Sequence, residues 1–166
     1  MKPDRAAKYY YLKFLRLQGD PQSLAMGVAI GLFVGVTPTM PLHTALIILF
    51  AWLLRGNFLA ALIAATAISN PLTWLPQYYF SWRLGNWLLP GYLSWARIQE
   101  LLSLLTSGTS FKESLASIWQ MGLEAVAVML LGGILLAIPF ASAGYILAFK
   151  FFRALRKKRQ EKHILK

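Results

Sequence analysis

The chain has 166 residues, of which 57% are hydrophobic and 14% charged, and its mean hydropathy is +0.52. Soluble domains average about 25% charged residues, so this composition excludes an ordinary soluble domain. The net charge of +11 comes mostly from two tails, with five of the 17 Lys and Arg residues in positions 1–16 and eight in positions 150–166. No base-stacking module accompanies the tails, so nucleic acid is not an expected partner.

The uncharged residues form three long blocks, over residues 21–54, 56–82 and 125–149. A helix needs about 20 residues to cross a hydrocarbon layer of about 30 Å, so each block is long enough. We therefore predict an all-α integral membrane protein that forms a single membrane domain. Basic tails beside apolar spans predict a multi-pass protein of a bacterial-type inner membrane, with both termini cytoplasmic. The tails are also expected to bind anionic lipid headgroups.

At the front of the chain, residues 1–20 alternate basic with apolar side chains. This pattern is typical of an amphipathic helix that lies in the membrane interface. At the far end, residues 150–166 form the predicted basic cytoplasmic tail.

The block at residues 23–54 is too long for one crossing, because a single helix of that length would measure about 48 Å. Breaks at Pro38 and Pro41 divide it into two arms of about 20 Å each, too short to span. We predict a re-entrant helical hairpin, with two tilted crossings as the alternative. Arg55 and Gly56 close the second arm, and Gly56 is expected to adopt the left-handed conformation past the helix end.

Residues 58–89 predict a transmembrane helix that is interrupted at Ser69-Asn70-Pro71 and kinked again at Pro76, since proline removes a backbone hydrogen bond. Residues 94–120 form a near-neutral, extracytoplasmic segment with amphipathic helices. Residues 121–149 predict the transmembrane helix that returns to the cytoplasm. An odd number of crossings would leave one basic tail outside, and the positive-inside rule disfavours that arrangement.

Four motifs resemble a bacterial protein family. They are the glycines Gly27, Gly31 and Gly35 with Pro38; Leu54-Arg55-Gly56-Asn57; Ile68-Ser69-Asn70-Pro71-Leu72-Thr73; and Tyr79 with Arg83-Leu84-Gly85. The family is that of domain of unknown function 2062, and the resemblance is strongest over about residues 20–90. It implies an inner-membrane protein without an established reaction. Similar domains are sometimes joined to glycosyltransferases that act on lipid-linked sugars, which makes such an enzyme a possible partner.

Gly27, Gly31 and Gly35 recur every four residues and so share one helix face. Small residues at this spacing let a second helix approach closely. One interpretation is packing inside the hairpin. The other is a subunit interface of a homo-oligomer, or a surface along which a lipid chain slides.

Six polar residues near the breaks are candidates for substrate binding: Thr37, Thr39, His43, Asn70, Thr73 and Arg83. Ionisable groups within a membrane are often functional, and an imidazole at this position would bind phosphate or relay a proton. The alternatives are that His43 caps the first turn, that Asn70 satisfies backbone groups freed by Pro71, and that Arg83 is an interfacial anchor.

The sequence lacks the motifs of an enzyme: the embedded blocks contain no carboxylate pair, and no phosphate-binding glycine loop precedes a lysine. No cofactor or metal site is therefore expected. We predict a transporter or flippase-like protein that handles an anionic lipid or polyprenyl-phosphate lipid between its broken helices. Alternatives are a non-catalytic membrane anchor or partner of a cell-envelope glycosyltransferase and, less favoured, an oligomeric channel.

Overall fold

The computed structural model describes residues 17, 19–39, 42–91, 93–96, 98–99, 103, 119 and 122–164. Over this part of the chain the fold is all helical and contains no strand, which confirms the predicted class at that level. The bounded helices are α1 (Pro21–Val36), α2 (His43–Leu53), α3 (Phe58–Ile68), α4 (Pro71–Leu88) and α5 (Leu123–Ile164).

Three predictions fall wholly or mostly outside the described residues. They are the amphipathic helix at residues 1–20, the break at Pro41, and the extracytoplasmic segment at residues 94–120.

Helix α1 begins where the sequence supplies an N-cap. The Oδ2 atom of Asp20 accepts hydrogen bonds from the backbone N–H groups of Gln22 at 3.0 Å and Ser23 at 3.4 Å. Pro21 occupies the first turn, where its missing N–H has no partner to lose. The helix ends at Thr37, whose extended backbone is the conformation that a following proline favours.

Helices α1 and α3 run parallel and lie in close contact through the glycine face of α1. Gly27 lies against the carbonyl of Asn57, and Gly31 against the carbonyl of Ala61. A Cβ atom at Gly35 would lie 3.3 Å from the Cα of Ala65. The glycine face is therefore packed against a helix of the same chain.

Helix α5 packs antiparallel along α1. Gly144 of α5 lies against the Leu32 side chain, while Asp20 at the start of α1 forms an ion pair with Arg156, their atoms 3.3 Å apart. Apolar side chains of α1, α3 and α5 form one buried cluster, and α4 packs on the first part of α5 in another.

The turn after α2 differs from the prediction for Gly56. Arg55, not Gly56, has a positive φ of 52°. The backbone N–H of Gly56 bonds to the Ala51 carbonyl at 2.9 Å and that of Arg55 to the Trp52 carbonyl at 3.4 Å, the pattern of a Schellman motif. A glycine fits at position 56 because of close packing and not because of its backbone conformation: a Cβ atom there would lie 2.7 Å from Cδ1 of Ile30.

The break predicted at Ser69-Asn70-Pro71 is a sharp bend. Helices α3 and α4 meet at 91°. The bend lies at residues 69 and 70, while Pro71 is the first residue of α4 and Pro76 lies within that helix. Pro71 is compatible with its position because the first turn of a helix has no hydrogen bond for its missing N–H to lose. The second break predicted at Pro76 is not present, since α4 continues through that residue.

Helix α5 has 42 residues and continues through the predicted basic tail as far as Ile164. By length and composition, its portion over Ala125–Glu161 is the one described helix able to cross a membrane, and the bent pair α3 and α4 would add a second if it forms a single span. Helices α1 and α2 are apolar but shorter.

Candidate functional site at the helix breaks

The first break, between α1 and α2, brings three of the predicted site residues together. The Thr37 hydroxyl donates to the Phe33 carbonyl at 2.7 Å. The Thr39 hydroxyl lies 3.4 Å from the Val34 carbonyl and 3.4 Å from Nδ1 of His43. Both hydroxyls therefore contact carbonyl groups of the last turn of α1, and the Phe33 carbonyl also accepts from the backbone N–H of Thr37 at 3.1 Å. The half-buried imidazole joins this polar group, as the capping interpretation expects.

The second break is held by Asn70 and Thr73. The Oδ1 atom of Asn70 accepts from the Thr73 backbone N–H at 3.3 Å, and the Thr73 hydroxyl oxygen accepts from the Asn70 backbone N–H at 3.1 Å. This reciprocal pair is a variant of the capping box, with Thr in place of the usual Glu or Gln. The Thr73 hydroxyl also contacts the carbonyl of Ile68, at the end of α3. The Asn-Pro-Leu-Thr motif thus ends one helix and begins the next.

Side chains from α4 reach back to the same corner. Nε2 of Gln77 donates to the Ile68 carbonyl at 3.4 Å, and Nε1 of Trp74 donates to the Ser69 hydroxyl at 3.4 Å. The carbonyl of Ile68 is therefore contacted by both Thr73 and Gln77. These contacts hold the bend between α3 and α4.

Arg83 lies away from both breaks. It follows Thr73 by ten residues, about 15 Å along α4. Its Nη1 atom is 3.0 Å from the Tyr79 hydroxyl, and the side chain is exposed. Tyr79 also packs against Trp95, with ring centroids 5.0 Å apart, in an aromatic cluster that includes Trp82. An exposed Arg beside clustered aromatic rings is typical of an interfacial anchor.

Two adjacent glycines of α5 connect the first break with α4. Gly133 lies against the Pro38 ring, and Gly132 lies against the carbonyl of Ser81. Gly85 of α4 contacts the same stretch of α5, one helical turn before Gly132. The end of α1 and the middle of α4 thus meet α5 at neighbouring positions.

This junction was not anticipated from the sequence. Two successive glycines inside an apolar helix are a usable signal, because each costs about 1 kcal/mol of helix propensity relative to alanine and therefore suggests a close approach. Ser81 gave no such signal. It is fully buried, and its hydroxyl has no hydrogen-bond partner within the described part of the chain.

The predicted site thus separates into three places: Thr37, Thr39 and His43 at the first break, Asn70 and Thr73 at the second, and Arg83 on α4. In the described ranges, no three His, Asp or Glu side chains are grouped as metal ligands would be.

No curated protein and no solved structure matches the chain. A family model does match it, over residues 4–161, and is described as an uncharacterised protein conserved in bacteria (DUF2062). This match covers nearly the whole sequence and agrees with the resemblance carried by the Arg-Gly-Asn and Asn-Pro-Leu-Thr motifs. The protein therefore belongs to this bacterial family.

Proposed function

We propose that the protein is integral to the bacterial cytoplasmic membrane and moves an anionic amphipathic lipid, a phospholipid or a polyprenyl-phosphate lipid, between its broken helices. Each step of this proposal has its own support in the packing, the charge distribution and the helix breaks.

Membrane insertion is supported by the side chains that the fold leaves uncovered. Large apolar residues are exposed on α2, α3 and α5, among them Trp52, Leu59 and Leu147. Only 33% of the most apolar stretch of α5 is buried within the protein. A soluble monomer rarely exposes so much contiguous apolar surface, whereas lipid would cover it without cost.

The orientation is supported by the ion pair between Asp20 and Arg156, which places the start of α1 beside the basic end of α5. The basic residues of positions 1–16 precede this end in the sequence, and the basic part of α5 lies at it. Under the positive-inside rule it faces the cytoplasm. Helices α1 and α2 then enter and leave as a re-entrant hairpin, α3 and α4 form a broken span, and α5 crosses fully.

The breaks in the helices support the proposed transport step. In transporters, broken helices place backbone dipole ends and polar side chains at membrane depth, where a substrate binds. His43 is the polar ionisable residue at the first break, and it hydrogen-bonds to Thr39 in a setting of otherwise apolar helices. We assign it the role of contacting the lipid phosphate. Asn70 and Thr73 hold the second break in shape.

Lipid movement in proteoliposomes tests the proposal. The full chain is reconstituted with a fluorescent phosphatidylglycerol, and the fraction reached by a membrane-impermeant quencher is followed with time. We expect the native chain to accelerate movement and His43→Phe to abolish most of the acceleration. Thr66→Val is the control, because the Thr66 hydroxyl bonds only to its own helix. Unaltered movement in the His43 variant would remove that residue from the pathway, and no acceleration by the native chain would refute transport.

A second function is favoured by a different observation. The basic part of α5 extends as a largely exposed helix beyond the apolar stretch, from Lys150 to Glu161. Such a helix suits a non-catalytic partner that anchors a cell-envelope glycosyltransferase. Purification from native membranes separates the two functions: a stoichiometric glycosyltransferase that is lost when residues 157–166 are removed would favour the partner role.

A further inference from the structure

A basic cavity lies between the start of α1 and the charged part of α5. Its volume is about 730 Å³. Lys150, Arg153 and Lys157 line it from α5, together with Phe149, and Gln22 lines it from α1. Asp20 and Arg156 line the cavity as well and form an ion pair with each other, while no carboxylate in the described ranges pairs with Lys150, Arg153 or Lys157.

A second cavity, of about 330 Å³, is almost wholly apolar. Its walls include Met26, Ala29 and Phe33 of α1, Phe50 of α2 and Ala141 of α5. It opens at the surface that the proposed function places in lipid. Its lining carries no charged side chain, so it suits a hydrocarbon chain and not a headgroup.

Both cavities border the same face of α1. The residues that line them recur at helical spacing: Gln22, Met26, Ala29 and Phe33 on α1, and Ala141, Phe149, Arg153 and Lys157 on α5. Residues three or four apart share one face of a helix. Tyr145 occupies the position between the cavities, and its ring stacks on that of Phe149 with centroids 6.1 Å apart. Both cavities therefore lie beside one face of α1, with Tyr145 of α5 between them, and together they are called the groove.

The length of this groove fits one lipid leaflet. Gln22 and Phe33 are eleven residues apart, about 17 Å along a helix. Half of a hydrocarbon layer of about 30 Å is about 15 Å. A molecule with its anionic head in the basic cavity would therefore place the first part of a hydrocarbon tail along Met26 to Phe33, a length of about 10 Å.

We propose that this groove between α1 and α5 binds one anionic glycerophospholipid of the cytoplasmic leaflet. Lys150, Arg153 and Lys157 contact its phosphate, and its acyl chain lies along Met26, Ala29 and Phe33. The inference rests on the proposed membrane placement, and it names the site at which an anionic lipid is taken up before any movement.

The charge of the head is the first property to test. The full chain is equilibrated with vesicles of equal parts phosphatidylglycerol and phosphatidylcholine, extracted in mild detergent, and its retained lipids are counted by native mass spectrometry. We expect the native chain to retain one phosphatidylglycerol in preference. A basic residue close to a membrane surface contributes enough for about a five-fold change in affinity, so Arg153→Gln and Lys157→Gln should each lower retention about five-fold.

Lys158→Gln is the matched control, because it removes the same charge from the neighbouring position, which lines neither cavity. Retention should be unchanged. Equal losses in Lys158→Gln and Lys157→Gln would overturn the proposal in favour of diffuse attraction to the basic tail. Preferential binding of free glycerol phosphate would overturn it as well, since the acyl chain would then contribute nothing.

The apolar end is tested by filling it. Ala141→Phe places a ring in the groove, whereas Ala143→Phe places one on an exposed face of the same helix. We expect only Ala141→Phe to reduce phosphatidylglycerol retention, by at least ten-fold, with both variants keeping the helical circular dichroism of the native chain. Equal retention in the two variants would show that no chain lies in the groove.

The outcomes for the groove and for transport are separable. Selective retention that depends on Arg153, without accelerated lipid movement in proteoliposomes, would leave the groove standing and refute transport. Accelerated movement that is unaffected by Arg153→Gln and Ala141→Phe would leave transport standing and refute the groove as the site of lipid uptake.

Discussion

Asn70 and Thr73 hydrogen-bond to each other in both directions across the right-angle bend between α3 and α4. Each side chain accepts from the other residue's backbone N–H, at 3.3 and 3.1 Å. The bend leaves backbone N–H groups at the start of α4 and backbone carbonyls at the end of α3 without helical partners. Asn70 and Thr73 hydrogen-bond to groups of both kinds, so one pair of residues caps both helix ends.

Removing either member should destabilise the bend. Loss of an N-cap side chain typically costs about 0.5–2 kcal/mol, so we expect Asn70→Ala to lower the free energy of unfolding by that amount. Asn70→Asp keeps the acceptor and should retain most of the stability. The double variant Asn70→Ala with Thr73→Val should cost less than the sum of the single changes, because the pair acts as a unit. Denaturant unfolding in mild detergent, followed by circular dichroism, measures all four variants; strict additivity would contradict the reciprocal pair.

The glycine face of α1 should respond unequally to a methyl group. A Cβ atom at Gly31 would overlap the Ala61 carbonyl oxygen, and backbone cannot move aside cheaply. At Gly35 the nearest atom would be 3.3 Å away. We expect Gly31→Ala to lower the free energy of unfolding by an overpacking cost of about 1–3 kcal/mol, and Gly35→Ala to lower it by less than about 1 kcal/mol. Denaturant unfolding in mild detergent measures both variants. Equal effects would argue against parallel packing of α1 on α3.

The turn after α2 predicts opposite effects at neighbouring positions. Arg55 adopts a left-handed conformation, which costs a non-glycine residue roughly 1–2 kcal/mol. Glycine avoids this cost but loses more conformational entropy on folding, which offsets part of the gain. Arg55→Gly should therefore leave stability unchanged or raise it by up to about 1 kcal/mol. Gly56→Ala should lower it by about 1–3 kcal/mol, because its methyl group would meet Ile30 and the backbone of Gly27. The same unfolding assay applies, and a destabilised Arg55→Gly would show that the side chain itself is needed.

Ser81 should be dispensable for folding. Its buried hydroxyl carries a desolvation cost without a compensating hydrogen bond in the described structure. Ser81→Ala should therefore keep or raise the free energy of unfolding, by up to about 1 kcal/mol. Ser81→Val, which adds volume at the contact with α5, should lower it. A loss of stability in Ser81→Ala would reveal a partner for the hydroxyl.

The helix ends were predicted within two residues for α1 and α2, because prolines and turn residues mark them in the sequence. The bend at residues 69 and 70 was also predicted, since Ser69-Asn70-Pro71 is a helix-ending sequence, whereas the break expected at Pro76 is absent because α4 continues through it. The assignment of the left-handed turn to Gly56 failed for a related reason. A glycine in a sequence can indicate either a left-handed backbone conformation or a close approach of another segment. Only the packing of residue 56 against Gly27 shows that the second reason applies there.

The arrangement of the candidate site was less predictable. That Thr37 and Thr39 accompany His43 follows from their closeness in the chain. The separation of Arg83 from the breaks depends on the 91° bend. The contact of Pro38 with Gly133 joins residues almost a hundred positions apart, and helical spacing alone does not specify which faces of α1 and α5 pair.

The packing of α1 on α5 has a consequence for the order of assembly. A ribosome completes α1, α2 and α3 long before it reaches Gly133 and Gly144, the residues against which Pro38 and Leu32 come to lie. The proline turn must therefore wait, uncovered, until the last helix is made. A chain stalled before residue 133 would present that turn to any membrane chaperone, so nascent-chain crosslinking from Pro38 should change partner once α5 has been synthesised.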